Sequence, residues 1–378
     1  MTDAAPIAVM RPKLPELSAL EPYLRQIDDS GVYSNLGPLA IKLEARLARR
    51  YGVASEQIIT TSNGTSALQI AFLAAKTQGR YCLMPSWTFV ATPHSALSAG
   101  LEPYFLDVDP DTQQLSIDAV RDAITTLGVD QIGAICLVSA FGAPIDAAPW
   151  EALQDETGLS VVVDAAAAFV TLQASKLISC ISLHATKILP AGEGGFILCP
   201  SLDFAGDARP RTNFGFWNSR KAGSVSTNAK MSEYHAAIAH ASLDTWHTRR
   251  AAYMDIAKRY RARLDLVDGV RLPSGFAEDW FNSVVVVRLS LPEGDACKAW
   301  LEADNIYTRR WWGAGCHTQP AFANAPRGDL RVSEQLAAET IGLPCHTQLE
   351  DADIDRICAS LGAFLVEKDA PPLKRSAA

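Results

Sequence analysis

The chain has 378 residues, 48% of them hydrophobic and 20% charged, which excludes disorder, collagen and coiled coil and suits two or three packed units. Its net charge of −8, with no basic stripe to offset it, argues against a nucleic-acid binder. No apolar run reaches the ~18 residues of a membrane span, and the start, Met1-Thr-Asp-Ala-Ala-Pro6, has no signal-peptide character, so a cytoplasmic protein is expected.

Residues 1–12 read as a loose arm. A helical pattern over Leu39–Tyr51 leads to a strand, Ile58–Thr61, which ends in Ser62-Asn63-Gly64-Thr65 and opens at once into a helix over Ser66–Ala75. That geometry aims free backbone N–H groups and a helix dipole at an anion such as phosphate. It is neither a Walker loop nor a dinucleotide fingerprint. The next strand, Tyr81–Met84, runs into Pro85-Ser86-Trp87-Thr88-Phe89. Trp87 at a strand's C-terminal end can stack on a flat ring, or it can be core; both readings stand.

A strand over Pro103–Leu106, a helix over Ile117–Thr126 and a strand over Ala134–Val138 follow. Then Val161-Val-Val-Asp164 places a carboxylate at the C-terminal end of a strand buried on both faces, where ligands bind in open α/β sheets. Such a carboxylate needs a cation or strong donors; a helix N-cap before Ala165–Ala168 is the alternative. The strand Leu177–Ser182 enters a polar turn with His184, Thr186 and a single lysine, Lys187, flanked by Ile188, Leu189 and Pro190. A lysine in such company is a candidate for a buried amine of lowered pKa, as Schiff-base chemistry requires. Gly192-Glu193-Gly194-Gly195 then turns the chain into a strand over Gly195–Cys199.

Strands alternating with helices predict a three-layer α/β/α domain over residues 13–250, with a mostly parallel seven-stranded sheet. Beyond it the texture changes. A long helix over Thr245–Leu266, a strand over Ser283–Leu291, a helix over Asp295–Ala303, a turn-rich stretch and a last helix over Asp351–Glu367 predict a smaller α+β domain at 251–367. Residues 368–378 read as a frayed tail. The eight cysteines form no CxxC pair and read as small buried hydrophobes in a reducing compartment. Cys316-His317 and Cys345-His346 match no zinc spacing, so no metal is expected.

The four elements around Gly64, Trp87, Asp164 and Lys187, in this order and spacing, resemble the DegT/StrS-type sugar aminotransferases, which are fold type I pyridoxal-phosphate enzymes. Further matching stretches are Gly31–Pro38, Phe105–Pro110, Ser139–Gly142, Arg211–Gly215, Thr227–Glu233 and His317–Phe322. The resemblance implies that Lys187 carries pyridoxal 5′-phosphate (PLP) as a Schiff base and shuttles the proton. It implies that Asp164 bonds the ring nitrogen, that the Gly64 and Thr65 amides and Ser182 hold the phosphate, and that Trp87 covers one ring face. Asn228 would reach the phosphate of a neighbouring subunit, so a homodimer with shared active sites is implied.

The substrates implied are a nucleotide-diphospho-keto-6-deoxy sugar as acceptor and L-glutamate as amino donor. Two guanidiniums beside two indoles, in Arg309-Arg310-Trp311-Trp312, suit a diphosphate and a flat base or sugar face; they equally suit a domain interface. His317 joins them as a candidate substrate residue. One position departs from the family pattern: Ala167 stands where a Gln or His is usual, three residues after Asp164. Two rivals use the same scaffold. Sugar dehydratases replace the Schiff-base lysine with His, whereas Lys187 is intact; a non-catalytic PLP-binding protein is favoured only by Ala167.

Overall fold

The computed structural model describes residues 5–369. Seven strands form the larger sheet: β1 (Ile58–Thr61), β2 (Tyr81–Pro85), β3 (Glu102–Leu106), β4 (Ile132–Val138), β5 (Val161–Asp164), β6 (Ile178–Ser182) and β7 (Gly195–Leu198). Their spatial order is β1-β7-β6-β5-β4-β2-β3, with β7 antiparallel to both its neighbours. Every residue of β4 to β7 is buried, which is why these strands read as apolar runs rather than alternations.

Parity along a strand decides which side a residue faces. Val161 and Val163 join the core beneath helices Pro38–Tyr51, Ile117–Leu127 and Ala148–Thr157. Val162 joins the opposite core, beneath helices Gly64–Ala75, Ala91–Ser98 and Leu202–Arg211. Asp164 has the parity of Val162 and so faces the Gly64–Ala75 and Ala91–Ser98 side. Each sheet edge is covered. Glu44 accepts from the Thr60 amide and hydroxyl on β1 while pairing with Arg209. Pro326 and Gly328 hydrogen-bond along β3 through Phe105. Glu233 accepts from the Leu39 and Ala40 amides at 2.7 and 2.8 Å and so closes the start of the Pro38–Tyr51 helix.

A second, antiparallel sheet has the order β10-β9-β8, built from β8 (Val270–Arg271), β9 (Val285–Leu289) and β10 (Thr340–Leu343). Helices Trp246–Leu264, Gly294–Ala303, Arg331–Glu339 and Asp351–Glu367 accompany it. All seven strands expected in the larger sheet form. Strands β8 and β10 and the Arg331–Glu339 helix escape the sequence reading.

The expectation of a loose arm at 1–12 is corrected over its described part. Ile7 is 4% exposed, exchanges hydrogen bonds with Asn305 and Tyr307, and Val9 accepts from the Cys345 amide. The short apolar stretch Pro6–Met10 lies beside Ile306 through Ile7, a distant pairing that no local pattern encodes. Most of the expected tail, from 370 on, lies outside the described residues. All eight cysteines are buried and unpaired. Among the described residues no helix is long and apolar enough to cross a membrane.

Candidate active site

Asp164 ends β5 inside the protein, 7% exposed. Its Oδ2 accepts from the Thr92 hydroxyl at 2.7 Å and its Oδ1 from the Ala166 amide at 3.1 Å. Burial pushes its pKa up; the Thr92 hydroxyl, the Ala166 amide and the positive charge of Lys187 pull the other way. Thr92 in turn meets Thr88, four residues back, at 2.8 Å. Two donors on a carboxylate that burial still drives upward leave it short of positive charge.

Lys187 lies in the loop between β6 and β7 and is partly buried. Burial lowers its pKa, and Asp164 opposes that shift. The two charges act on each other, and among the described residues no ion pair joins them. The loop is braced locally: the Lys187 amide donates to the His184 carbonyl at 2.8 Å, and His184 Nδ1 meets the Thr186 hydroxyl at 2.8 Å. A lowered pKa raises the share of free amine, the form that attacks a carbonyl.

Beside this pair is an anion cradle. Asn63 caps the Gly64–Ala75 helix by accepting from the Ser66 amide at 2.8 Å. The amides of Gly64 and Thr65 are the first two of that helix and have no intrahelical acceptor. Ser182, at the end of β6, packs directly on Gly64: a Cβ there would lie 2.8 Å from the Ser182 Cβ. Across the turn, a Cβ on Gly195 would lie 2.8 Å from the Asn63 carbonyl and the Gly64 nitrogen. Glycine at both positions therefore brings the β1 turn, β6 and β7 together around one small space.

Trp87 is 2% exposed. Its Nε1 donates to Gln113 at 3.0 Å, and its ring meets Trp312 edge-on at 5.1 Å and Phe141 at 6.4 Å. Phe141 and Trp312 are stacked at 4.0 Å. Trp87 is thus part of an aromatic wall tied into the core, the packing alternative of the sequence reading, on the same turn that leads to Thr92. His317 joins this side: its Nδ1 lies 2.6 Å from the Ser86 hydroxyl and its Nε2 3.5 Å from Glu334.

Three expected residues are not brought to the lysine pocket by any contact among the described residues. Asn228 is exposed, and Lys230 bridges it to Asn213 at 2.6 and 2.8 Å. Arg309 is exposed and lies over the Trp311 ring at 5.2 Å. Arg310 is committed elsewhere: it pairs with Asp295 at 2.9 Å and packs on Gly294, which removes it from the candidates for a free phosphate anchor. Thr92, Gln113 and Phe141 hold Asp164 and Trp87 but carry no role in the sequence reading; Trp312, read there as a flat face for a base or sugar, stacks on Phe141. The Thr88–Thr92 spacing, one helical turn, was the one local signal available for Thr92.

The chain matches the model of the DegT/DnrJ/EryC1/StrS aminotransferase family over residues 18–362. It is 31% identical to the dTDP-4-amino-4,6-dideoxy-D-glucose transaminase of Shigella dysenteriae, over 94% of this chain and 98% of that one. It is 28% identical to the GDP-perosamine synthase of Caulobacter vibrioides, over 97% and 100% of the two chains. Among solved structures, DesI with its TDP-sugar product superposes with a TM-score of 0.85 at 31% identity, covering 96% of this chain and 95% of that one.

Proposed function

This chain belongs to the DegT/DnrJ/EryC1/StrS aminotransferase family, whose enzymes are PLP-dependent, and from that premise we propose that it transfers an amino group from L-glutamate to a nucleotide-diphospho-keto-6-deoxy sugar. The observation that carries the reading is a buried Asp164 carboxylate, held by Thr92 and the Ala166 amide, whose charge acts on Lys187, together with the Gly64–Ala75 helix start packed on Ser182.

These residues fit the cofactor. The Gly64 and Thr65 amides and the Ser182 hydroxyl would hold its phosphate, and Lys187 would bind it covalently. Asp164, lacking positive charge, would hold a proton on the ring nitrogen; Thr92 and the Ala166 amide keep the carboxylate aimed. Bound PLP supplies an electron-withdrawing ring that stabilises negative charge on the carbon bearing the amine. The freed Lys187 Nζ would then carry the proton to and from that carbon. The wall of Trp87, Phe141 and Trp312 excludes water from one side of the pocket.

The relatives are named for dTDP-, UDP- and GDP-linked sugars, so a nucleotide diphosphate is the feature their names share. Ala166 and Ala167, partly exposed, put only methyl groups beside Asp164, whereas Ala165 and Ala168 are packed in the core. Arg309, exposed and without an acidic partner among the described residues, is the guanidinium left for the diphosphate. Pairing of two protomers would cover exposed aromatic residues, including Tyr33 stacked on Tyr234 at 6.3 Å and Phe214 and Trp217 near Asn228. The test is a panel of amino donors against keto-sugars carrying dTDP, UDP or GDP. Turnover of the nucleotide sugars with glutamate is expected. Efficient turnover of small 2-oxo acids, with every nucleotide sugar inert, would overturn the sugar reading.

A further inference from the structure

Asn282 is 2% exposed and its side chain is fully engaged. Its Nδ2 donates to the carbonyls of Phe141 and Ala167, each at 2.7 Å, and its Oδ1 accepts from the Ser283 amide at 2.7 Å. Both protons of the carboxamide are thereby used, so Asn282 has none to offer a ligand. Ser283 is buried to the same degree, and its hydroxyl donates to the Thr186 carbonyl at 3.1 Å. That carbonyl belongs to the peptide bond leading into Lys187.

One dipeptide, entering β9 from the smaller sheet, therefore grips three turns of the larger one. They follow β4 at Phe141, β5 at Ala167 and β6 at Thr186, so the second begins at Asp164 and the third carries Lys187. Phe141 adopts a left-handed backbone, φ 52°, which a bulky residue keeps only when its surroundings hold it there. Its neighbour Gly142 has φ 91°, and a Cβ on it would fall 1.8 Å from Asn282 Nδ2. The glycine is what admits the carboxamide. Ala167, with only a methyl group, can anchor its own turn solely through its main chain, and Asn282 takes that carbonyl.

We infer that Asn282 and Ser283 are positioning residues that fix Lys187 and Asp164 at their working separation through the Thr186, Ala167 and Phe141 carbonyls. The inference rests on Lys187 and Asp164 being the cofactor pair. Neither side chain would touch the cofactor. Their loss would free three carbonyls at the pocket's edge and loosen its geometry; a displacement of about 1 Å near reacting groups costs on the order of a hundredfold in rate.

The experiment compares Asn282→Ala, Ser283→Ala and Ser283→Thr with wild type. Cofactor-free protein is loaded with PLP, the visible absorption band is titrated against pH, and kcat and KM are measured separately. Melting curves of the cofactor-free proteins establish folding. Asn282→Ala and Ser283→Ala should move the band's pH midpoint by about half a unit or more. They should lower kcat about tenfold or more while KM stays within about threefold. Ser283→Thr, which keeps the hydroxyl, should restore both. If Asn282→Ala does not fold, the two Ser283 variants decide. A folded Ser283→Ala with an unmoved midpoint and unchanged kcat would overturn the inference, and so would lowered melting temperatures with nothing else altered. A wild type that forms no coloured complex would instead fail the cofactor reading and take the inference with it.

Discussion

Asp164 and Lys187 feel each other's charge, yet among the described residues no ion pair joins them. Burial drives the carboxylate's pKa up and the amine's down, so it weakens the charged form of each. Direct pairing would relieve both; β5 presents one, and the braced loop after β6 presents the other. A flat group offering a protonated nitrogen to the carboxylate and a carbonyl carbon to the amine relieves both at once.

Replacing Asp164 with Asn should leave cofactor binding intact and abolish most turnover, because an amide cannot keep the ring nitrogen protonated. A loss of about a hundredfold or more is expected, nearly 3 kcal/mol of barrier; turnover within about threefold of wild type would contradict it. The cofactor-free protein gives a second reading. A carboxyl whose folded pKa is raised favours folding while protonated, and that contribution is lost as pH rises through the folded pKa. Asp164→Asn should therefore be more stable than wild type at neutral pH, with the difference shrinking as pH falls into the carboxylate range. Denaturation curves across pH measure it.

Gly64→Ala should weaken cofactor binding and also cost about 1–3 kcal/mol of stability. The added methyl would lie 2.8 Å from the Ser182 Cβ, so the helix start and β6 must part to admit it. Each hydrogen bond to a charged phosphate contributes about 1.5–3 kcal/mol, so a tenfold or greater loss of PLP affinity is expected. An unchanged titration curve would place the phosphate elsewhere.

The Arg309–Arg310 pair should separate by function. Arg310→Ala breaks a contact with Asp295 and loses packing on Gly294, so about 1–2 kcal/mol of stability should go while KM for the sugar holds. Arg309→Ala should change stability by about 0.5 kcal/mol at most. Its loss should appear in sugar KM, by about 1.5–3 kcal/mol if it meets the diphosphate. The opposite assignment of effects would exchange their roles.

The seven strands of the larger sheet were legible because each is a short apolar run ended by small or polar residues. The same rule missed β8, which has two residues, and β10, Thr340–Leu343, whose glycine and threonine dilute the pattern. Asp164 stood out because it ends a buried strand, and Lys187 because it is followed by Ile188-Leu189-Pro190; both are buried enough for their pKa values to shift. Asn282 was not: its partners, Phe141 and Ala167, lie 141 and 115 residues away, and no local spacing encodes such a contact. Arg310 misled for the converse reason, since a charge beside tryptophans looks the same in sequence whether it meets a ligand or Asp295.

Asn228 supplies the test of a shared site. It is exposed and bridged by Lys230 to Asn213, and the family resemblance sends it to a neighbour's site. Mixed dimers of Lys187→Ala and Asn228→Ala subunits should contain one doubly damaged site and one intact site. Mixing the two inactive proteins should therefore restore activity, whereas a stable, active monomer in sedimentation would refute the arrangement.

The most direct measurement of the central claim is reduction of the yellow protein with borohydride, followed by peptide mass spectrometry. The expected result is a pyridoxyl adduct on Lys187, whose charge acts on Asp164. An adduct on Lys176 or Lys230 instead, with Lys187 unmodified, would contradict it.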